Sequence, residues 1–544
     1  MNPRLLIVEE WFEYCLLPPI ETLSFNNLLK IASNLPPQGE IVTRSSFQKV
    51  FNDCPKTKLI IMYETLEIYS ECVTSENVLI FLFVQLFHHP TFKEMVASGD
   101  VYPKSTPCNS LPQSPMNTPP LSPRCQTIHS LHLNGNEVIE KKPNMRLTSS
   151  RASIGENDRH SILAFVKNHL AKLLALFLSW KLQRVISLNK IENESIEIGI
   201  LDLFHPFLKY LNDSKLGNSQ EKLSAIFAQM NRKTKEKTIL KNILDWMVPL
   251  IGLRGHYFAT ISFLPDGTAN NVELDSSFFE RDRRILPTGL IKGKTKSVIW
   301  VQSHVVQDLT NIRIHKCHFS FIYFFGAVRN MTISDCSNCT IFISSVKNIA
   351  HIYHSDNIKI IAVCGQLSVA HSSNVQLNLY TLYSPLIWSS TCSQIVLGPF
   401  NADYPTIDTD LKRNGFNPNN QSNRAFSPRY VWEDNNCTSL LPPEKLNVFR
   451  VPFELHSVND NGRRKFIASQ FHVDEWVIPL PIEYRSAWLR KLEKFDQLRG
   501  KIQEAKKSSF ENKFDTKFTE WLKARNLITE INGLAELGKH IIFQ

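Results

Sequence analysis

A repeat of about 19 residues between positions 312 and 400 constrains the fold of this chain more than any other feature. Five positions recur at spacings of 19, 19, 17 and 19 residues, and they hold small side chains: Cys317, Cys336, Ser355, Ser372 and Thr391. Three residues before each of them stands an apolar side chain: Ile314, Ile333, Ile352, Val369 and Trp388. More polar residues alternate with the apolar ones, as in a strand with one buried face. The repeat therefore predicts stacked parallel strands.

An asparagine-rich position, two residues after each small side chain, predicts a corner of this stack. It holds Phe319, Asn338, Asn357, Asn374 and Ser393. Asparagine tolerates left-handed backbone angles, and its amide can hydrogen-bond to the equivalent residue of the next coil. A helical repeat would space its apolar residues three and four apart, which these do not follow. We predict a right-handed parallel β-helix with the three asparagine side chains aligned at one corner.

The segments on either side of the repeat predict an α+β chain: an all-α N-terminal region, the right-handed parallel β-helix, and a C-terminal helical segment. Apolar residues at helical spacing recur before position 255, and a proline- and serine-rich stretch interrupts them. The predicted divisions are a helical N-terminal region (1–100), a disordered insertion (101–158), a helical continuation and linker (159–285), the β-helix domain (286–432), and an extended segment with charged C-terminal helices (433–544).

Composition narrows the classes of function. The net charge of +10 is widely spread, and no zinc-finger spacing, RNA-binding motif or dense basic helix accompanies it, so we expect no nucleic-acid partner. The longest apolar runs, at 78–87 and 173–180, are shorter than a bilayer requires, so we expect no membrane insertion. Eleven cysteines, an odd number scattered over a large chain, indicate reduced thiols in a cytosolic compartment.

The motifs that carry chemistry are few. Cys336 and Cys339 form a CxxC pair, but no second pair and no histidine cluster accompanies it, so packing explains it better than zinc or redox chemistry. No nucleophile with a base, no phosphate-binding glycine loop and no metal cage is recognisable in the sequence. We therefore expect no metal and no cofactor.

Three segments carry a resemblance to the TBCC-domain (C-CAP) family, which includes tubulin-folding cofactor C and a retinal GTPase-activating protein for Arf-like GTPases. They are IHKCHFSFIYFFGAVRNMTISDC (314–336), IKIIAVCGQLSVAHSSN (358–374) and IVLGPFNADYP (395–405). A helical first half, the segment LLPPEKLNVFRVPFE (440–454) and a basic C-terminal helix follow the order of the family's centrosomal branch. The resemblance implies the same β-helix that the repeat predicts.

In the GTPase-activating relatives, the resemblance implies that a glutamine and an apolar residue precede a catalytic arginine. Here Gln366 and Leu367 are retained, but the arginine position holds Ser368. Such an arginine is worth about 10³–10⁵ in rate, and a serine hydroxyl cannot deliver its charge to a γ-phosphate. A second arginine of some relatives corresponds to Ala370. The resemblance therefore implies a degenerate catalytic site, and we expect no enzymatic activity.

The strand alternation places Ser368 on the outer side of the coil, in an outer column of Arg313, Thr332, His351, Ser368 and Ile387. We expect this column to be exposed to solvent. Arg313 would lie three coils from Ser368, about 14 Å away at the usual strand spacing, which is too far to replace the missing arginine. The candidate partner-binding surface comprises Arg313, His351, Gln366 and Ser368.

The resemblance implies a non-catalytic scaffold of the centrosome or basal body, with roles in centrosome positioning, Golgi organisation and cell shape. The expected location is the cytoplasm and cytoskeleton, at the centrosome or spindle pole. The expected partners are centrosomal or microtubule-associated proteins, or an Arf-like GTPase or tubulin. Two alternatives remain, a GTPase-activating protein and a tubulin-folding cofactor, and Ser368 argues against both. The sequence leaves open whether the N-terminal helices cover the β-helix.

Overall fold

The structure is a computed structural model. It describes residues 4–17, 24–51, 54–70, 72–88, 156–186, 195–211, 222–231, 237–253, 258–264, 269–274, 288–306, 309–404, 406–431, 437–450, 476–505, 508–524 and 528. The predicted insertion at 101–158 lies outside these residues, except that a helix begins at Glu156.

Helices dominate the described part of the N-terminal region, as predicted. They are α1 (Glu10–Tyr14), α2 (Phe25–Ser33), α3 (Arg44–Val50), α4 (Lys56–Ser70), α5 (Ser75–Gln85), α6 (Glu156–Lys181), α7 (Leu223–Met230) and α8 (Leu240–Leu250). Short 3₁₀ turns span Leu86–His88 and Ile198–Phe204. The helices pack around one apolar core, in which α5 is buried on all sides.

Hydroxyl side chains set the starting points of three of these helices. Ser24, Thr43 and Thr74 each stand just before a helix and accept a hydrogen bond from the backbone N–H three residues on. This bond satisfies one of the amide groups that the first helical turn leaves without a partner. Helices α2, α3 and α5 therefore begin where the sequence supplies a cap.

The N-terminal region also contains short strands that the sequence did not predict. Strand β1 (Arg4–Ile7) lies between β3 (Leu208–Leu211), which is antiparallel to it, and β5 (Ile251–Leu253), which is parallel. Strands β2 (Ser195–Glu197) and β4 (Lys237–Ile239) form an antiparallel pair. Segments of three or four residues are too short to show an alternating pattern, so the prediction of a purely helical region was wrong here.

Helix α6 is longer than its apolar run suggested. Its segment His160–Lys181 is long and apolar enough to cross a membrane, and 61% of that window is buried inside the protein. Among the described residues it is the one helix that passes this test of length and composition. Burial of this kind is also found in the core helices of large soluble domains.

The predicted β-helix is confirmed. Its strands are β6 (Phe258–Phe263), β7 (Ala269–Leu274), β8 (Thr288–Lys292), β9 (Val298–Val301), β10 (Asn311–His315), β11 (Phe321–Val328), β12 (Asn330–Ser334), β13 (Thr340–Tyr353), β14 (Asp356–Ala370), β15 (Ser373–Thr381), β16 (Leu386–Ile387), β17 (Ser393–Pro399), β19 (Arg429–Tyr430) and β20 (Thr438–Leu440). All pair in parallel except β7, which is antiparallel to β6. The solenoid thus begins before the predicted boundary at 286.

The registers of the central strands match the predicted columns. Ile314 pairs with Ile333, Ile333 with Ile352, and Ile352 with Val369. These four side chains are at most 1% exposed and form part of the apolar core inside the coil. Each coil therefore buries the same position, and this burial fixes the strand register.

The predicted asparagine corner is also confirmed. Asn338, Asn357 and Asn374 have φ values of 52°, 50° and 51°, in the left-handed region. The side-chain amide Nδ2 of Asn357 donates to Oδ1 of Asn338 at 2.6 Å, and Nδ2 of Asn374 donates to Oδ1 of Asn357 at 2.9 Å. The ladder thus combines tolerance of positive φ with a side-chain bond from coil to coil.

The last coil differs from the prediction by one residue. Val369 pairs with Ile387 rather than with the predicted Trp388, and Leu377 pairs with Leu397, 20 residues further on. The left-handed corner position falls on Gln394 instead of Ser393. The segment before β16 is one residue shorter than a repeat of 19 predicts, and the segment between β16 and β17 is two residues longer than in the preceding coil. Each strand is therefore displaced by one residue, which exchanges its inner and outer faces.

The cysteines of the CxxC pair lie inside the coil. Cys336 and Cys339 are 1% and 2% exposed, and their thiols contact the backbone carbonyl oxygens of Ser334 and Ser337 at 3.3 and 3.2 Å. Burial raises the pKa of the Cys339 thiol to about 11. A buried, protonated thiol that is bonded to the main chain packs as a small side chain.

The remaining elements close the solenoid and extend beyond it. Helices α9 (Ser303–Val306) and α10 (Ile407–Arg413) pack against its strands, and β18 (Ala402–Asp403) pairs with β21 (Phe449–Arg450). Short 3₁₀ turns span Ser389–Thr391 and Pro443–Lys445. The predicted C-terminal helices are α11 (Ile482–Ala505) and α12 (Ser508–Ala524).

Candidate functional site

The outer column follows the strand ladder across the solenoid. Arg313 pairs with Thr332, Thr332 with His351, and His351 with Ser368. Arg313 is therefore three strands from Ser368, as the sequence predicts, and about 14 Å away at the usual strand spacing. The fifth member of the column is Leu386, which pairs with Ser368, because Ile387 belongs to the inner core.

The expectation that this column is exposed was wrong. Ser368 is only 5% exposed, and two other members of the column, Thr332 and Leu386, are 2% and 3% exposed. The alternation of residues separates the inside of the coil from its outside, but it does not show what packs against the outside. In this protein the N-terminal helical region covers the outer column.

Helix α1 makes a charged contact with the outer column. The Arg313 guanidinium donates to Glu13 Oε1 at 2.5 Å, and the Thr332 hydroxyl approaches the same oxygen at 3.4 Å. The side chains of Arg313 and Glu13 are 13% and 7% exposed. Burial alone would lower the pKa of Arg313, but the Glu13 carboxylate, together with Tyr353 and Tyr14, raises it above its usual value. Both charges are thus held in the interface by each other.

The next residue of α1 covers the position beside Ser368. The Tyr14 ring stacks on the His351 imidazole with centroids 5.6 Å apart and planes inclined by 21°. Burial lowers the pKa of His351 to about 4, although the nearby Glu13 carboxylate acts in the opposite direction. His351 therefore enters this interface as a neutral ring at neutral pH.

A second charged contact joins α4 to the end of the solenoid. Glu64, whose side chain is 3% exposed, accepts hydrogen bonds from Arg44 of α3 at 2.7 Å and from Arg429 of β19 at 2.9 Å. Arg424 lies 4.0 Å from the same oxygen. The Glu64 carboxylate thus binds guanidinium groups from both the N-terminal helical region and the solenoid.

Apolar side chains complete the contact. Tyr14 and Ile68 of the helical region form a cluster with Ile349 of the solenoid, and Tyr69 and Tyr383 pack against it. Leu386 and Val431 belong to the same core cluster as the N-terminal helices. The last coil therefore shares its outer packing with the helical region, and Ser368 lies between His351 and Leu386 beneath it.

The backbone around Gly365 explains why Gln366 does not join the outer column. A Cβ atom at Gly365 would lie 2.6 Å from the carbonyl oxygens of Lys347 and Asn348, so only glycine allows this approach. The strand register shifts at this point, between the pairs Val346–Cys364 and Ile349–Gln366. Gln366 is 1% exposed, and its amide donates to the Ser384 carbonyl oxygen at 3.2 Å.

The structure thus brings Arg313, His351 and Ser368 onto one covered face and leaves Gln366 as a buried structural residue. Sequence reasoning missed Glu13 and Glu64, the two carboxylates of the cover. One signal was present: Arg313 is the single arginine, lysine or carboxylate in the predicted outer column, whose other members are Thr332, His351, Ser368 and Ile387, and this is unusual for a solvated face. Within the described residues, no three histidine, cysteine or carboxylate side chains are grouped as a metal site.

Comparison with known proteins supports the assignment of the solenoid. The family model for tubulin binding cofactor C matches residues 309–427, which contain the outer column and Gln366. The chain is 30% identical over 224 residues to TBCC domain-containing protein 1 of Bos taurus, and 30% identical over 236 residues to that of Mus musculus. The solenoid thus carries a tubulin binding cofactor C domain, and the chain is similar to these TBCC domain-containing proteins.

The extent of these matches differs among the relatives. The bovine and mouse matches span 39% and 41% of this chain but only 36% and 39% of the relatives' own length. The Danio rerio protein of the same name is 22% identical over 453 residues, which are 75% of this chain and 73% of the relative. That alignment is too long to lie within the TBCC domain at 309–427, so this similarity also includes flanking regions.

The His351 contact predicts that stability depends on pH. Because the pKa of His351 falls from an unfolded value near 6.5 to about 4, its contribution to stability is present above pH 6.5 and is lost as the pH falls toward 4. Between pH 7 and pH 5 this loss is about 2 kcal/mol. Chemical denaturation should show that His351→Phe, which keeps a ring against Tyr14, removes about this much of the acid sensitivity.

The matched control is His354→Phe, a change at an exposed histidine of the next corner. It should leave the pH dependence of unfolding close to that of the unmodified chain. His169, whose burial also lowers its pKa to about 4, contributes equally to all three proteins. An acid sensitivity that is identical in the His351→Phe and unmodified chains would contradict a buried, neutral His351.

Proposed function

We propose that this chain, whose solenoid matches the family model for tubulin binding cofactor C, is a non-catalytic scaffold. The observation that carries the proposal is the state of Ser368: the position that corresponds to the catalytic arginine of GTPase-activating relatives is uncharged and covered. An arginine finger contributes about 10³–10⁵ to the rate of GTP hydrolysis by stabilising charge on the phosphates. A buried serine hydroxyl has neither the charge nor the reach for this role.

The arginines on either side of Ser368 in the strand ladder are already engaged. Arg429 lies two strands away and is bound to Glu64. Arg313 is bound to Glu13 and lies three strands from Ser368. Releasing it would leave the Glu13 carboxylate buried without a counter-charge. A GTPase docked on the outer column would also have to displace α1, because Tyr14 covers His351. These contacts argue against the alternatives, a GTPase-activating protein or a tubulin-folding cofactor.

The proposed setting follows the family's centrosomal branch. We place the protein in the cytoplasm and cytoskeleton, at the centrosome or spindle pole, with roles in centrosome positioning, Golgi organisation and cell shape. Its proposed partners are centrosomal or microtubule-associated proteins, and an Arf-like GTPase or tubulin could bind without being activated. The support for this setting is the resemblance to that branch together with the similarity to TBCC domain-containing protein 1.

Single-turnover GTP hydrolysis tests the absence of catalysis. The purified chain should accelerate hydrolysis by a panel of Arf-like GTPases and by tubulin less than about tenfold. Ser368→Arg should not exceed this limit either, since the new side chain would point into the cover. Ser393→Arg, at an exposed position of the same solenoid, is the matched control for added charge.

A thousandfold acceleration by the unmodified chain would overturn the proposal. Acceleration by Ser368→Arg but not by Ser393→Arg would show that the outer column opens to a GTPase. In that case the missing charge, and not the cover, would be the reason for inactivity.

Fluorescence microscopy tests the proposed location. A tagged chain should be cytoplasmic, with a focus that coincides with a centrosome marker through interphase and at the spindle poles in mitosis. The fluorescent tag expressed alone is the control for a diffuse signal. A secreted or nuclear distribution, or a cytoplasmic one without the focus, would contradict the scaffold proposal.

A further inference from the structure

The first half of helix α11 packs on the C-terminal end of the solenoid. The Tyr484 hydroxyl donates to the Leu441 carbonyl oxygen at 2.6 Å, and the Lys491 ammonium donates to that of Leu446 at 2.6 Å. Trp488 packs against the apolar cluster that contains Leu441, Leu446 and Tyr484. These three residues are spaced by four and three, so one face of the helix is buried here.

The same face continues into the second half of α11 without a cover. The next positions at spacings of four and three are Phe495 and Leu498, whose side chains are 59% and 53% exposed. Apolar residues at this heptad spacing form the seam along which one helix packs on another. The exposed seam is therefore a direct extension of an interface that the structure already uses.

Charge is arranged asymmetrically around this seam. Lys494 and Lys501 lie four residues before and three residues after Leu498, so both stand beside it on the helix surface. Both side chains are exposed, and a lysine side chain carries a positive charge. The acidic residues Glu493 and Asp496 are one or two residues from Phe495, a spacing that points their side chains away from it.

This arrangement selects among the possible occupants of the seam. Lys494 and Lys501 are seven residues apart and so lie on one edge of the seam. In an antiparallel pair with a second copy of α11, this edge would face the same edge of the copy, lysine against lysine, which opposes pairing. A helix with an apolar stripe and acidic edges would instead bury Phe495 and Leu498 and pair with Lys494 and Lys501. We propose that the second half of α11 is the docking face for an acidic amphipathic helix of a partner protein.

This inference deepens the proposed scaffold function, because it names the chemistry of one partner. It does not depend on the outer column, which lies elsewhere on the solenoid. The GTP hydrolysis and localisation experiments can therefore contradict the scaffold proposal without contradicting the docking face. The binding experiment below can likewise contradict the docking face without contradicting the scaffold proposal.

Binding of a designed peptide to the full-length chain tests the docking face. The probe is a four-heptad helical peptide with leucine at the seam positions and glutamate at both edges; the comparison peptide has lysine at the edges. Fluorescence anisotropy should show the glutamate peptide binding at least about tenfold tighter than the lysine peptide. The double variant Phe495→Ser/Leu498→Ser should weaken the glutamate peptide about tenfold or more.

Charge reversal provides the sharpest comparison. The variant Lys494→Glu/Lys501→Glu should prefer the lysine peptide, whereas Gln497→Ser, an exposed change away from the seam, should bind as the unmodified chain does. All four proteins should unfold at similar temperatures, because the changed side chains are exposed. Equal binding of both peptides, no binding of either, or an unchanged preference after charge reversal would overturn the proposal. A dimer in sedimentation that Phe495→Ser/Leu498→Ser dissociates would assign the seam to a second copy instead.

Discussion

The buried ion pair between Glu13 and Arg313 determines how the two halves of this protein meet. Each side chain would carry an uncompensated charge in the interface if the other were removed, and breaking such a pair costs about 3–5 kcal/mol. The pair therefore does more to define where α1 sits than to add stability. Once α1 is in place, Tyr14 must lie over His351, and the outer column of the solenoid is closed.

The solenoid makes this contact possible because its strands hold a fixed register. Inner isoleucines stack at one position of every coil, so the residues between them form a straight column on the outside. The N-terminal helices contact that column through Glu13 at one end and through Tyr14 at its centre. Glu64 fixes the far edge by binding Arg429, next to the last coil. Ser368 lies within this closed column and is uncharged and 5% exposed.

Much of the fold could be predicted from the sequence, because a solenoid repeats one local rule. The isoleucine columns and the Asn338, Asn357 and Asn374 corner follow from residue type and spacing alone. The last coil was misplaced by one residue, since Thr391 and Cys392 are both small and only the pairing distinguishes them. The burial of Ser368 could not be predicted in this way. It results from a contact between residues 300 or more positions apart, for which the spacing within a repeat carries no information.

The accessibility of position 368 tests the cover most directly. Ser368→Cys and Ser393→Cys place thiols on the same solenoid, one beneath the N-terminal helices and one at an exposed position. Labelling with a maleimide, followed by peptide mass spectrometry to separate these sites from the native cysteines, gives the two rates. The thiol of Ser368→Cys should react at least about 100-fold more slowly than that of Ser393→Cys, because the helices must open first. Equal rates at the two positions would contradict it.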